Sequence, residues 1–269
     1  MTQEQLLEGI VIPLDKPRQW TSFQAVNKVK AAIRNTYGLK KFKIGHAGTL
    51  DPLATGLLLI CVGKATKRID ELQGGEKVYT GTMVLGATTP CYDLERAVDH
   101  HYPYQHITRQ LVEETTTQFI GDIEQIPPIF SAVKIGGQRA YQYAREAKEG
   151  EEAPSPTPKT IHIEKFDITD FRPGHAITEE VIPLQEETHS DTPTHHLYDH
   201  PLGTVPEHLP QIDFRIRCGK GTYIRSIARD LGLSLDSGAF LSALRREQVG
   251  QYTINDAITI DDIGSFLQQ

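Results

Sequence analysis

Gly45-His46-Ala47-Gly48-Thr49-Leu50-Asp51-Pro52-Leu53-Ala54-Thr55-Gly56 runs straight into Leu57-Leu58-Leu59-Ile60-Cys61-Val62. The glycines at 45, 48 and 56 make the first half a tight, irregular loop. Asp51 precedes Pro52, and a residue before proline is pushed toward extended geometry and out of helix interiors. The apolar second half reads as a buried strand. The stretch therefore holds a carboxylate on a stiff loop that feeds a buried strand, the kind of position from which catalytic side chains act. A turn aspartate that caps its own backbone has the same composition. The loop alone does not choose between the two.

Working outward, Gly9–Leu14 reads as a strand entering the turn Asp15-Lys16-Pro17. Thr21-x-x-Gln24 is a capping box opening a helix with Phe23, Val26, Val29 and Ile33 on its apolar face. Val78–Leu85 is a second strand, rich in β-branched and aromatic residues. Helices are expected from Thr108 to about Phe119 and over Arg139–Lys148, the latter stopped by Gly150. Ala153–Pro158 is a proline-rich linker, and Ile161–Phe166 a strand. Residues 173–211 lack periodicity and read as an inserted surface loop. It contains His189, His195, His196, His200 and His208 at spacings that match no known metal cage, so no metal site is assigned. Ile212–Cys218 is a strand leading through Gly219-Lys220-Gly221 into a helix over Thr222–Leu231, ended by Gly232. Further helices are expected over Ser237–Arg246 and near Asp261–Leu267. The elements follow no regular βαβ rhythm. An α+β fold is expected, with a mixed, largely antiparallel central sheet and flanking helices.

Composition bounds the function. The 269 residues suffice for one large domain, and no apolar run approaches the roughly 20 residues that span a bilayer. The N-terminus MTQEQLLEGI has no basic n-region, so it is not a signal peptide. Cys61, Cys91 and Cys218 are odd in number and far apart, which disfavours a disulfide framework and points to a reducing cytoplasm. The net charge of −7 is unevenly spread. Residues 151–212 hold 12 acidic and 3 basic side chains, whereas residues 9–68 hold 11 basic ones against Asp15 and Asp51 alone. A basic field around the Asp51 loop suits a polyanionic partner. A solvated lysine-rich face gives the same asymmetry.

Gly219-Lys220-Gly221-Thr222 lacks the spacing of a nucleotide P-loop, yet glycines at a strand-to-helix turn can present amides to a phosphate. Tyr223 and Arg225 follow; on their own they read as a core tyrosine and a surface arginine. Together with Gly45–Lys67, the runs Cys218–Gly232 (CGKGTYIRSIARDLG) and Pro127–Arg145 (PPIFSAVKIGGQRAYQYAR) resemble the TruB family of tRNA pseudouridine synthases. So do Asp15-Lys16-Pro17 with Thr21-Ser22, Val78-Tyr79 with Leu85-Gly86-x-x-Thr89 and Asp93, and Leu244-Arg245-Arg246. The resemblance spans about residues 9–172 and 212–258, in order.

The resemblance implies the pseudouridine synthase fold and a cofactor-free reaction, uridine to pseudouridine, at the T-loop position 55 of tRNA. The N1–C1′ bond breaks, the base turns, and C5 bonds to C1′. The stacked base must first be flipped out. Asp51 is then the nucleophile, at C1′ or C6, and Arg225 the counter-ion that keeps it charged. Tyr79 stacks on the base and takes the proton from C5. Tyr223 lines the pocket, and Leu244 forms an apolar wall. His46 fills or flanks the space left by the base, although a lone loop histidine is more often structural. Lys16, Lys67 and Arg246 serve phosphates or loop geometry. The T-arm stem-loop of tRNA is the expected partner, with a monomer, no membrane and no obligate protein partner. A tRNA-folding chaperone with secondary or lost catalysis is the alternative, but it needs no Asp51, Tyr79 and Arg225 together.

Three departures stand out. Gln19 replaces the glycine usual after Asp15-Lys16-Pro17-x, which implies different backbone angles in that turn. The Thr89–Arg96 segment lacks its closing glycine. The chain is expected to be a single catalytic domain over 1–269, with the acidic loop at 173–211 and no room for the PUA domain that many relatives carry.

Overall fold

In the computed structural model, residues 1–131, 133–136, 138–140, 143, 156–175 and 201–269 are described. The chain opens with α1 (Gln3–Gly9), which the sequence reading missed, and β1 (Ile10–Lys16). The capping box forms as expected: Thr21 accepts from Gln24 N–H, and α2 spans Ser22–Tyr37. Its inward face is Ala25, Val26, Val29 and Ile33. Phe23, expected inside, is 68% exposed. In the first turn it falls to the side of the stripe that Val26 and Val29 define.

Next come β2 (Ile44–Ala47), β3 (Thr55–Val62), α3 (Ile69–Gly74) and β4 (Lys77–Leu85). A small hairpin joins β5 (Ala87–Thr88) to β6 (His100–His101). It is followed by α4 (Arg109–Thr116) and β7 (Gly121–Gln125). A second hairpin pairs β8 (Lys134–Ile135) with β9 (Gln138–Arg139). Arg139 is therefore on a strand, and the rest of the helix expected over 139–148 lies largely outside the described residues. The chain continues with β10 (Lys159–Arg172), β11 (Gln211–Cys218), α5 (Ile224–Ser234), β12 (Ala239–Val249), β13 (Tyr252–Thr253) and α6 (Ile263–Gln268).

The main sheet has nine strands in the order β1-β3-β12-β4-β11-β10-β7, with β2 beside β3 and β13 beside β12. All these pairs are antiparallel except β3–β12. The expected α+β architecture is observed. Alternation along β3 sends Leu58, Ile60 and Val62 into the main core and Leu57, Leu59 and Cys61 into a second cluster with Ala47 and Val249. Both faces of this strand are covered, which is why its sequence is a continuous apolar run. On β11, Ile212, Phe214, Ile216 and Cys218 point inward while Arg215 and Arg217 pair with Glu247 and Glu76 on the outer face.

The helix expected over 237–246 is wrong: from Ala239 on, these residues form β12, an interior strand between β3 and β4. Ala, Leu, Arg, Glu and Gln favour helix locally, but pairing with both β3 and β4 overrides that preference. Register shifts at Leu241/Ala243 and Arg246/Gln248 also break the period-2 pattern. The helix after β11 starts two residues later than expected and runs past Gly232. Gly232 is a packing glycine, since a Cβ there would fall 2.4 Å from the Ala239 nitrogen. Of the inserted loop, residues 176–200, including His189, His195, His196 and His200, lie outside the described residues. Its end does not behave as a solvated loop: Gly203 N–H donates to Leu94 O and Leu209 is 2% exposed.

Candidate active site

The sheet's central strands and the start of α5 converge on the loop of residues 48–54. Its backbone is fastened on every side. Ser22 Oγ, on α2, donates to Leu50 O at 3.1 Å and accepts from Leu50 N–H at 2.9 Å. Pro52 O accepts from Gln19 N–H at 2.8 Å and from Lys16 Nζ at 3.2 Å. From β12, the Arg246 guanidinium donates to Gly48 O, Thr49 O and Leu57 O. Gly56 has φ 99°, and a Cβ there would strike Arg246 O at 2.3 Å. Only glycine lets β3 lie this close to β12.

The loop presents Asp51 to Arg225, on the first turn of α5. Arg225 Nε donates to Asp51 Oδ2 at 2.9 Å and Nη2 to Oδ1 at 3.0 Å, a bidentate pair. The side chain of Asp51 is not spent on its own turn; its backbone carbonyl makes that turn, accepting from Ala54 N–H. Arg225 is 5% exposed and also donates to Cys91 O and Phe130 O. Asp93, equally buried, stands 3.7 Å from Arg225 Nε. Burial draws the Arg225 pKa down, but Asp51 and Asp93 outweigh it and hold it above the ordinary arginine value. Burial pushes the Asp93 carboxyl up, Arg225 opposes this, and the charge of Asp51 adds to the rise.

Asp51, Tyr79, Tyr223, Arg225, Leu244 and Arg246 line one cavity of about 270 Å³. Tyr79 on β4 sits opposite Arg246 on β12 and is 8% exposed. Burial raises its phenol pKa, and the neighbouring Arg246 guanidinium opposes that rise. The Tyr223 phenol is likewise raised by burial and by Asp51, with Arg225 and the Ser131 hydroxyl acting the other way.

Six of the nine residues singled out in sequence thus meet in one cavity; Lys16, Lys67 and His46 do not line it. Lys16 is fully buried, and its ammonium donates to Pro17 O, Trp20 O and Pro52 O, so of its two expected roles it serves loop geometry. Burial lowers its pKa to about 8. Arg246 serves the loop in the same way. Lys67 is exposed, with no ion pair among the described residues. His46 lies on β2, not on the loop, opposite Ile60. Its pKa is lowered, first by burial and then by Arg246, and its buried Nδ1 has no partner among the described residues.

Sequence reasoning missed Gln125, Ser131 and Lys77. Gln125 clamps the start of α5, accepting from Tyr223 N–H and donating to Tyr223 O. Lys77 lines the cavity and donates to Gln73 O and Gly75 O at the end of α3. Neither carries a local signal, because each acts on backbone brought to it by the fold.

Residues 34–183 match the family model of the TruB family pseudouridylate synthase N-terminal domain, and residues 225–269 that of the tRNA pseudouridylate synthase B C-terminal domain. The tRNA pseudouridine synthase B of Flavobacterium johnsoniae is 49% identical, over 97% of this chain and 96% of its own length. The chain belongs to the TruB family of pseudouridine synthases. A second TruB relative, tRNA pseudouridine synthase B of Phocaeicola vulgatus, is 44% identical over 97% of this chain and 94% of its own. A solved Cbf5-Nop10-Gar1 complex shares the fold, with a TM-score of 0.63 at 23% identity over 99% of this chain and 57% of that one. An H/ACA RNP bound to a substrate RNA containing 2′-deoxyuridine gives a TM-score of 0.60 at 21% identity, over 99% of this chain and 56% of that one. Membership of the TruB family makes the chain an isomerase that forms pseudouridine.

Proposed function

We propose that this chain converts the T-loop uridine at position 55 of tRNA to pseudouridine, with Asp51 as nucleophile. The observation that carries the reading is the bidentate Arg225–Asp51 pair at the wall of a cavity flanked by Tyr79, Tyr223 and Leu244. Relatives at 40–49% identity named tRNA pseudouridine synthase B support tRNA as the substrate. Arg225 keeps Asp51 charged and aimed. Tyr79 stacks on the flipped base and then takes the C5 proton, and Arg246 beside it favours the phenolate that this step needs. Tyr223 and Leu244 enclose the ring. His46 flanks the space that the base vacates, and Lys67 meets phosphate. The chain works as one catalytic domain and as a monomer. Its compartment is the cytoplasm, where tRNA is found and where the buried free thiols Cys61, Cys91 and Cys218 stay reduced.

The test is to incubate the protein with an unmodified tRNA transcript and map pseudouridine for wild type and Asp51→Ala. Product at the T-loop uridine with wild type and none with Asp51→Ala is expected. Tight binding without product points to the chaperone, and product elsewhere to another uridine.

A further inference from the structure

Ser131 is the one hydroxyl among the described residues that is buried yet unpaired: the residue is 6% exposed, and its Oγ has no hydrogen-bond partner. The Tyr223 phenol feels this hydroxyl, which draws its pKa down, but no hydrogen bond of ordinary length and angle joins the two, and Ser131 lines the same cavity as Asp51. A buried polar group left unsatisfied is costly, so a native protein keeps one where a ligand completes it. Its position is fixed. Ser131 N–H donates to Ile129 O at 2.9 Å, and the preceding carbonyl, Phe130 O, accepts from Arg225 Nη2 at 2.9 Å. One guanidinium therefore holds both the carboxylate and the backbone that carries this hydroxyl. The N-terminus of α5 opens into the same cavity. It makes no side-chain cap, and Ile224 and Arg225 of its first turn line the wall, so its positive end faces the ligand space.

We infer that Ser131 is a catalytic residue whose hydroxyl donates a hydrogen bond to a carbonyl oxygen of the flipped uracil. The inference rests on the function proposed above. Charge reaches O4 by either route open to Asp51, and O2 only when Asp51 bonds C1′. If Asp51 bonds C1′, the N1–C1′ bond breaks and its electron pair stays on the base, shared among N1, O2 and O4. If Asp51 bonds C6, the C5–C6 π pair moves toward C5 and O4. In both cases a donor waiting at O4, beside a helix N-terminus, binds the transition state more strongly than the ground state, and a donor at O2 does so on the C1′ route.

The test uses the full chain and T-arm RNAs carrying uridine, 2-thiouridine or 4-thiouridine at the target position. Sulfur is a poor acceptor, so one substitution removes the proposed bond. Ser131→Ala is expected to slow single-turnover formation on the uridine RNA by on the order of tenfold, the cost of losing a hydrogen bond to a charged group. RNA affinity stays unchanged, and the melting temperature is equal or higher because an unsatisfied hydroxyl is gone. One thio substitution slows wild type by a similar factor and leaves Ser131→Ala at its own rate. A Ser131→Ala rate within twofold of wild type, a melting temperature that falls, or thio effects equal in both proteins overturns the inference. Wild type that makes no pseudouridine on any RNA overturns the function proposed above along with it.

Discussion

Arg225 separates the catalytic reading of Asp51 from the turn reading. A carboxylate capping its own turn has no use for a buried guanidinium brought from 174 positions away. Lysine offers no fork, so Arg225→Lys leaves Asp51 half-held and Cys91 O or Phe130 O unpaired. Activity is expected to fall at least 100-fold in single-turnover assays, with stability lower by about 3 kcal/mol in urea titrations. Gln19 departs from expectation in an informative way. The sequence suggested new backbone angles there, but Gln19 keeps φ 64°, the left-handed conformation that glycine favours, and is held by its bond to Pro52 O. The strain is tolerated rather than avoided. Gln19→Gly is expected to be neutral to slightly stabilising, whereas Gln19→Val costs about 1–2 kcal/mol, read from thermal melts.

Among the elements, β10 and β11 are laced on their exposed face by Arg172, which donates to both oxygens of Asp213 at 2.7 Å. These bonds hold Asp213 below its ordinary value of 3.8, against burial. The folded chain thus binds this proton less readily than the unfolded one. The stabilisation is present above about pH 4 and is lost as pH falls through the lower folded value. Asp213→Asn is expected to lower the urea midpoint at pH 7 and to flatten the decline of stability below pH 4. An equally steep acid limb in the mutant would assign that decline to other carboxylates. At the same scale, β12 is the element that the sequence hides. Its helix-forming composition is outvoted by two neighbouring strands, and its placement brings Leu244 and Arg246 to the cavity and loop that Asp51 occupies.

Across the whole molecule, the basic excess of residues 9–68 divides into two kinds. Lys16 is consumed inside the loop scaffold, while Lys64 and Arg68 pair with Glu8 and Glu71. Arg18, Lys28, Arg34, Lys40, Lys41, Lys43 and Lys67 are exposed, and Lys30 is half-buried, all without ion pairs among the described residues. These are the positive charges available to a polyanion. Binding of tRNA is expected to weaken steeply with salt, and Lys40→Glu with Lys41→Glu and Lys43→Glu to reduce the log–log slope by roughly 0.7–0.9 for each phosphate no longer neutralised. A slope unchanged by the triple substitution would move the RNA to another face.

The sequence by itself determined the family, the α+β class, the carboxylate on its loop, and five of the residues that meet it in the cavity, Tyr79, Tyr223, Arg225, Leu244 and Arg246. These rest on contiguous motifs and on local physics: glycine and proline in the loop, an apolar run in β3, a capping box before α2. Tertiary structure alone decided the rest. It made 239–249 a strand, chose loop support over phosphate contact for Lys16 and Arg246, placed His46 on β2, and left the Ser131 hydroxyl unpaired in the cavity that Asp51 lines. Each of these depends on carbonyls, strand edges and charges contributed from far along the chain, and no local pattern records which of them a side chain will meet.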